Sequence, residues 1–233
     1  MKSAPQSKPG PARRILLVDD HPITRQGLAA MIGNEADLAV CGEAEDAASA
    51  LAAVERLRPD LVVADLSLPG RNGLELLKDM AARHPGVPTL VLSMHDEALY
   101  AERAIRAGAR GYLMKSAGGR AVLDGIRTIL AGRIHVSPAV SSRILESLGR
   151  PGTHGRPIKA DAHSLVQSLS DREFEIFQLI GQGLGTREIA GRLNVSIKTV
   201  EAHRASLKSK LGTKDAPSLV REAVRWVESQ NGV

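Results

Sequence analysis

Five short runs along the first half of the chain are apolar without interruption: residues 15–18, 38–41, 61–64, 89–92 and 111–114. A strand with one wet face alternates polar and apolar, whereas a strand covered on both faces is apolar throughout. Between the runs lie 22–31, 47–58, 73–83, 98–107 and 120–130, each rich in Ala, Leu, Arg and Glu at helical spacing. Five strand-then-helix units predict an α/β fold, a five-stranded doubly wound parallel sheet. Such sheets hold ligands at the carboxyl ends of the strands, near the point where strand order reverses.

The pattern then changes. Residues 137–148 predict one more helix, and GRPGTHGRP at 149–157 has the Gly/Pro density of a linker. From Leu169 onward no strand-like run occurs, and four short helices predict a small all-α domain. Ser170 and Glu173 have capping-box spacing, with Phe174, Ile176, Phe177 and Ile180 inward and Gly183 and Gly185 as the stop. Thr186 is expected to cap a second helix at 187–193, with Ile189, Ala190 and Leu193 inward. A tight turn at Asn194 and Val195 leads to Ser196, the expected cap of a third helix with Val200, His203, Leu207 and Leu211 inward. Two helices joined by about three residues, the second carrying charge outward, predict a helix-turn-helix. The last helix places Leu219, Val220, Ala223, Val224 and Val227 on one side, as a dimer seam or as packing within its own domain. The expected divisions are a disordered tail at 1–12, the α/β domain at 13–133, a linker at 134–166 and the helix-turn-helix at 167–230.

Composition narrows the function classes. The 233 residues are 43% hydrophobic but only 2% aromatic, so the core is aliphatic. That argues against an aromatic platform for single-stranded nucleic acid. The net charge of +5 is mild and compatible with nucleic-acid contact. It is denser at the C-terminal end, with 12 basic and 9 acidic residues after position 150 against 19 and 17 in residues 1–150. The one cysteine, Cys41, excludes an internal disulfide framework and a Cys-rich zinc module; lying in an apolar run, it is read as a small buried hydrophobe. No apolar run reaches the roughly 18 residues of a membrane span, and the first residues lack the apolar stretch of a secretory signal. A soluble, cytoplasmic protein is expected.

Polar residues stand at four predicted strand ends: Asp19 and Asp20, Asp65, Ser93 and Lys115. Taken singly, Asp20 could cap the helix at Pro22, Ser93 could be a turn residue and Lys115 a solvated charge. Taken together, converging carboxylates repel, and oxygen ligation of Mg²⁺ relieves the repulsion. A neighbouring ammonium and hydroxyl would hold a second anionic ligand, giving a phosphoryl-transfer site with a carboxylate nucleophile. His21 is read as a helix-start residue. His95, two residues past Ser93, is either an exposed loop residue or a group tuning the attacking water. Across 196–214, Lys198, Arg204, Lys208, Lys210 and Lys214 outnumber Glu201, the footprint of a helix that meets nucleic acid.

The segments ILLVDDHP, VVADLSLPGRNGLELL and AGARGYLMK, with Ser93 between them, resemble a two-component response-regulator receiver domain over about residues 13–133. The resemblance implies a flavodoxin-like sheet in which Asp65 accepts a phosphoryl group from a sensor histidine kinase. It further implies that Asp20 and Asp65 ligate Mg²⁺, that Asp19 acts nearby or through water, and that the Ser67 carbonyl completes the protein ligands. Ser93 and Lys115 would contact the phosphoryl oxygens, and Tyr112 would be drawn inward on activation. Ser116 departs from the proline that many receivers have there. LSDREFEIFQLIGQGLGTREIAGRLNVSIKTVEAHRASLKSKLG resembles the LuxR-type helix-turn-helix, and the whole chain resembles the NarL/FixJ subfamily of response regulators. Ala216 and Glu201 depart from basic residues frequent in that subfamily.

The implied function is phosphorylation-dependent, sequence-specific regulation of transcription. The implied partners are the kinase, double-stranded DNA, a second copy of the chain when phosphorylated, and RNA polymerase as a further candidate. Expected DNA contacts are Thr186, Lys198, Thr199, Glu201, Ala202, Arg204, Ala205, Lys208 and Lys210. Lys208 and Lys210 are expected on phosphates. Glu201 either reads a C·G pair, with Ala202 against a thymine methyl, or pairs with Lys198 or Lys208 on its own helix. Three rival readings fare worse. An aspartyl-phosphate hydrolase would want a carboxylate two residues after the nucleophile, where Ser67 stands. A free-standing phosphate sink has no use for a helix-turn-helix. A phosphorylation-independent regulator would not need every site position filled. The chain is therefore expected not to be an enzyme beyond self-phosphorylation and self-dephosphorylation at Asp65.

Overall fold

The computed structural model describes residues 11–69, 73–95, 97–148, 166 and 168–231. The expected tail, except for its last two residues, and most of the expected linker lie outside these. The chain divides into two units, Met1–Arg150 and Pro151–Val233. Among the described residues, no helix is long and apolar enough to cross a membrane.

In the first unit, strands β1 (Arg13–Val18), β2 (Leu38–Ala44), β3 (Leu61–Ala64), β4 (Thr89–Ser93) and β5 (Gly111–Met114) alternate with helices α1 (Pro22–Gly33), α2 (Ala47–Leu57), α3 (Gly73–Arg83), α4 (Glu97–Arg106) and α5 (Gly119–Leu130). Helix α6 (Pro138–Leu148) follows. All pairings are parallel, in the order β2-β1-β3-β4-β5. The unbroken apolar runs have the expected cause. Ile15 and Leu17 pack with Ile32 of α1 and with Ile126 and Ile129 of α5. Leu16 and Val18 face the other way, onto Val54 of α2 and Leu76 and Met80 of α3. Strand order reverses between β1 and β3, so their carboxyl ends flank the crevice where such sheets bind ligands.

Two local readings need correction. Asp20 does not cap α1: it lies one residue before the cap position, which is held by His21 with no side-chain cap bond, and Pro22 supplies the pre-set backbone of the first turn. Thr186 is not a cap either. Gly185 is extended and its N–H is accepted by the Glu188 carboxylate at 2.7 Å, so Thr186 becomes the first residue of the helix.

A further element has no counterpart in the sequence reading. After α5 the chain returns alongside β5, where His135 bridges Gly111 in parallel. The His135 N–H donates to the Arg110 carbonyl and the Tyr112 N–H donates to the His135 carbonyl, both at 2.9 Å. Helix α6 then packs against α4.

The second unit holds α7 (Asp171–Gly181), α8 (Thr186–Arg192), α9 (Ile197–Leu211) and α10 (Ala216–Asn231). Phe174, Ile176, Phe177, Ile180, Ile189, Val200 and Leu207 are buried as expected. Trp226, absent from the expected core, meets Phe174 edge-on at 5.4 Å and Phe177 at 5.8 Å. Leu219 and Ala223 are fully buried inside this unit, so that part of the expected seam on the last helix serves the unit's own core. Helices α7 and α10 meet at Gly181, where a Cβ would stand 2.5 Å from the Ala223 carbonyl oxygen. The turn between α8 and α9 rests on Asn194, whose φ of 50° lies in the left-handed region that asparagine tolerates.

Candidate functional site

Because β1 and β3 are neighbours, the Asp65 N–H donates to the Val18 carbonyl at 2.8 Å, and Asp19 and Asp65 emerge side by side. Both are buried, at 3% and 2% exposure. The backbone after Asp65 is fixed from below by α3. The Gly73 N–H donates to the Leu66 carbonyl at 3.0 Å, and a Cβ at Gly73 would lie 2.8 Å from the Asp65 carbonyl oxygen. Lys115, just past β5, donates to Asp19 Oδ2 at 2.6 Å and to Asp65 Oδ2 at 2.8 Å. Burial pulls the Lys115 pKa down, but the hydrogen bonds to the two carboxylates outweigh it and leave the ammonium above the usual lysine value. Arg25 of α1 donates to the Asp19 carbonyl at 2.5 Å and to Glu43 of β2 at 3.0 Å, fixing the loop that carries both acidic residues.

Asp65 Oδ1 and Asp20 Oδ1 are buried and have no hydrogen-bond partner. His21 Nδ1 lies 2.6 Å from Asp20 Oδ1 but without hydrogen-bond angles. Asp19, Asp20, His21 and Asp65 each offer an atom within 4.8 Å of the others. Two orphaned carboxylate oxygens in a mostly oxygen donor set fit a hard divalent cation. The imidazole is an addition to the expected cluster. Asp19 and Asp20 run straight into the start of α1, which carries His21 to the rim.

Ser93 is fully buried at the end of β4, and its Oγ accepts the His95 N–H at 3.2 Å. His95 is half-buried rather than exposed. Its Nε2 lies 3.1 Å from Ser67 Oγ, its ring stacks on Tyr100 at 4.3 Å, and its carbonyl accepts the Tyr112 hydroxyl at 2.8 Å. The Tyr112 ring, expected to be drawn inward by phosphorylation, is inward and fully buried in this structure.

In the second unit, Lys198, Thr199, Glu201, Ala202 and Ala205 are exposed on α9, and Thr186, Arg204 and Lys208 are half-exposed. Among the described residues Glu201 makes no ion pair, so the expected pairing with Lys198 or Lys208 is not formed. Lys210 is engaged differently from the expectation. Its ammonium donates to the buried Glu173 of α7 at 2.7 Å, and Ser206 donates to the other oxygen at 2.6 Å. With Ser170 N–H at 2.7 Å as third donor, Glu173 joins the first helix of the unit to α9.

The model of the response regulator receiver domain matches residues 15–127, and that of the bacterial regulatory proteins of the luxR family matches 167–223. The oxygen regulatory protein NreC of Staphylococcus aureus is 34% identical over 213 residues, covering 91% of this chain and 97% of NreC. A solved LuxR-family two-component response regulator from Aurantimonas sp. SI85-9A1 is 37% identical with a TM-score of 0.55, covering 60% of this chain and 100% of that one. A solved RcsB response regulator of Salmonella typhimurium is 25% identical with a TM-score of 0.63, covering 92% and 98%.

Proposed function

Since the chain belongs to the response regulators, with a receiver domain and a LuxR-type DNA-binding domain, we propose that Asp65 takes a phosphoryl group from a sensor histidine kinase and thereby controls DNA binding. The observation that carries this is the state of the Asp65 carboxylate. One oxygen is held by Lys115 at 2.8 Å, while the other is buried without a partner beside Asp19 and Asp20. The free oxygen attacks phosphorus, the bond from phosphorus to the donor nitrogen breaks, and the donor imidazole leaves. The Lys115 ammonium and the Ser93 hydroxyl stabilise the transferring oxygens. Asp20, Asp65 and the Ser67 carbonyl would hold Mg²⁺, with Asp19 nearby or through water; when bound, the ion neutralises charge on the phosphoryl oxygens. The same site later releases the group to water, and the chain turns over no separate substrate.

The output is sequence-specific binding of double-stranded DNA in the cytoplasm. Helix α9 enters the major groove, with Lys198, Thr199, Glu201, Ala202 and Ala205 toward base edges and phosphates, and Thr186, Arg204 and Lys208 along the backbone. Lys210 serves the fold through Glu173. A phosphorylated dimer presents two such helices to half-sites roughly one helical turn apart, and RNA polymerase is the next contact in transcription. Acetyl phosphate with Mg²⁺ should add one phosphoryl group to the intact protein by mass spectrometry and none to Asp65→Asn. Undiminished labelling of that variant would move the acceptor elsewhere.

A further inference from the structure

Among the described residues of the second unit, Ile197 is the one large apolar side chain left exposed, at 44%. It is the first residue of α9, directly after the cap Ser196. The construction of that helix end gives it no task. Ser196 already accepts the Thr199 N–H at 3.0 Å. Val195 and Val200 hold the two positions where apolar residues staple a helix start, so Ile197 stands outside that pairing too. Isoleucine is stiff at its β-branch and forms helices less readily than Ala, Glu or Gln. The helix dipole favours a carboxylate at this end, yet α9 has no acidic residue in its first turn.

The place of Ile197 on the helix suits a base-reading residue. At 3.6 residues per turn it lies about 40° round from Glu201 and about 80° from Ala205, and all three are exposed. Helical side chains lean toward the N-terminus, so Ile197 projects from the end of α9, one turn ahead of Glu201. In a helix-turn-helix, the N-terminal residues of the second helix meet the base edges. With no carboxylate in the first turn, nothing at this end repels phosphates, and its free N–H groups attract them. Base edges in the major groove are hydrogen-bond donors and acceptors, with one apolar feature among them, the C5 methyl of thymine. An exposed branched hydrocarbon brought into that groove has no other complement.

We propose that Ile197 is a specificity residue that reads a thymine by packing on its methyl group. The inference rests on the reading of α9 as the helix that enters the major groove. Binding removes the side chain and the methyl from water together. A cytosine in the same place would set its amino group against hydrocarbon, leaving a donor without a partner.

Site selection from random duplex DNA by the full chain, treated with acetyl phosphate and Mg²⁺, supplies the operator. Thymines of one half-site are then replaced singly by deoxyuridine, which pairs as thymidine does and lacks only the methyl. The wild type should lose about fourfold in affinity at one thymine, as expected for removing one methyl from an apolar contact. Ile197→Ala should lose that discrimination at the same thymine and keep the wild-type response at the others. Ile197→Val retains a branched apolar end and should keep most of it. An Ile197→Ala protein that responds to deoxyuridine as the wild type does at every thymine would overturn the proposal, as would a wild type indifferent to deoxyuridine throughout. A response lost at all thymines alike would overturn it too, since α9 would then have shifted in the groove as a whole. If selection enriched no sequence, the reading of sequence-specific binding would fall, and the proposal with it.

Discussion

A carboxylate that is 5% exposed stays charged only if donors surround it, and Glu173 has them in the Ser170 amide, the Ser206 hydroxyl and the Lys210 ammonium. Burial alone would raise its pKa, but Lys210 and the two serines hold it down at about 2, against an ordinary 4.5. A depressed carboxylate stabilises the fold above its unfolded pKa and loses that contribution as pH falls through its folded one. The DNA-binding unit should therefore weaken between pH 4.5 and about 2, by roughly 3 kcal/mol at most. Trp226 is the chain's one tryptophan and packs in the same core, so its fluorescence follows this unit within the full-length protein. Glu173→Gln should lower stability at neutral pH and flatten the acid limb; an acid limb identical to wild type would mean that other groups govern it. Gly181→Ala tests the same core from another side. Its Cβ would meet the Ala223 carbonyl at 2.5 Å, and that atom belongs to a helix backbone that cannot swing aside. A loss of about 1–3 kcal/mol in the Trp226 transition is expected.

Among the elements, the sheet strands were the most legible. Burial on both faces leaves a run such as Leu61–Ala64 with no polar position to confuse it. The strand ends were legible for the same reason, since a polar residue closing an apolar run lies where the sheet opens to a ligand. Contacts made across the fold were not legible. The His135 bridge involves one residue pair and leaves no run or period behind. Glu173 showed its local partner Ser170 through spacing, but Ser206 and Lys210 lie 33 and 37 residues away. The charge count on α9 was right in sum and misleading in direction. At 3.6 residues per turn Lys210 lies about 120° round from Lys198, on the side that meets α7, and Lys208 about 80° round the other way. The two lysines should accordingly behave differently. Lys208→Ala should flatten the salt dependence of DNA binding by about one unit of slope. Lys210→Ala should leave the slope unchanged and lower the Trp226 unfolding midpoint. Equal flattening by both would return Lys210 to the DNA. Glu201, exposed and without an ion pair, should discriminate one base pair by about 1–3 kcal/mol. Site selection from random DNA with Glu201→Ala checks this, and an unchanged motif bound more tightly would end the readout idea.

At the scale of the whole molecule, the acidic cluster belongs to the first unit and the exposed basic face of α9 to the second. A concentrated negative site costs stability to fold, and that cost falls unevenly on its members. Lys115 balances Asp19 and Asp65, and Arg25 holds the Asp19 carbonyl. Among the described residues Asp20 has only His21 as a basic neighbour, in poor geometry, and one of its oxygens is orphaned. Removing Asp20 should therefore act in opposite directions according to the ion present. With a chelator, Asp20→Ala relieves repulsion among three carboxylates, and the full-length chain should melt higher than wild type. With Mg²⁺ at about a hundred times its dissociation constant, the wild type gains roughly 2.7 kcal/mol from binding that the variant cannot match, and the order of melting temperatures should reverse. Far-UV circular dichroism with chelator and with Mg²⁺ measures both. Glu201→Ala is the control, since it removes one negative charge from the other unit and should respond to Mg²⁺ as the wild type does. A ligand that is also a source of strain gives crossing curves. A residue that merely supports the β1–α1 loop lowers the melting temperature in both solutions, and that outcome would remove Asp20 from the metal site.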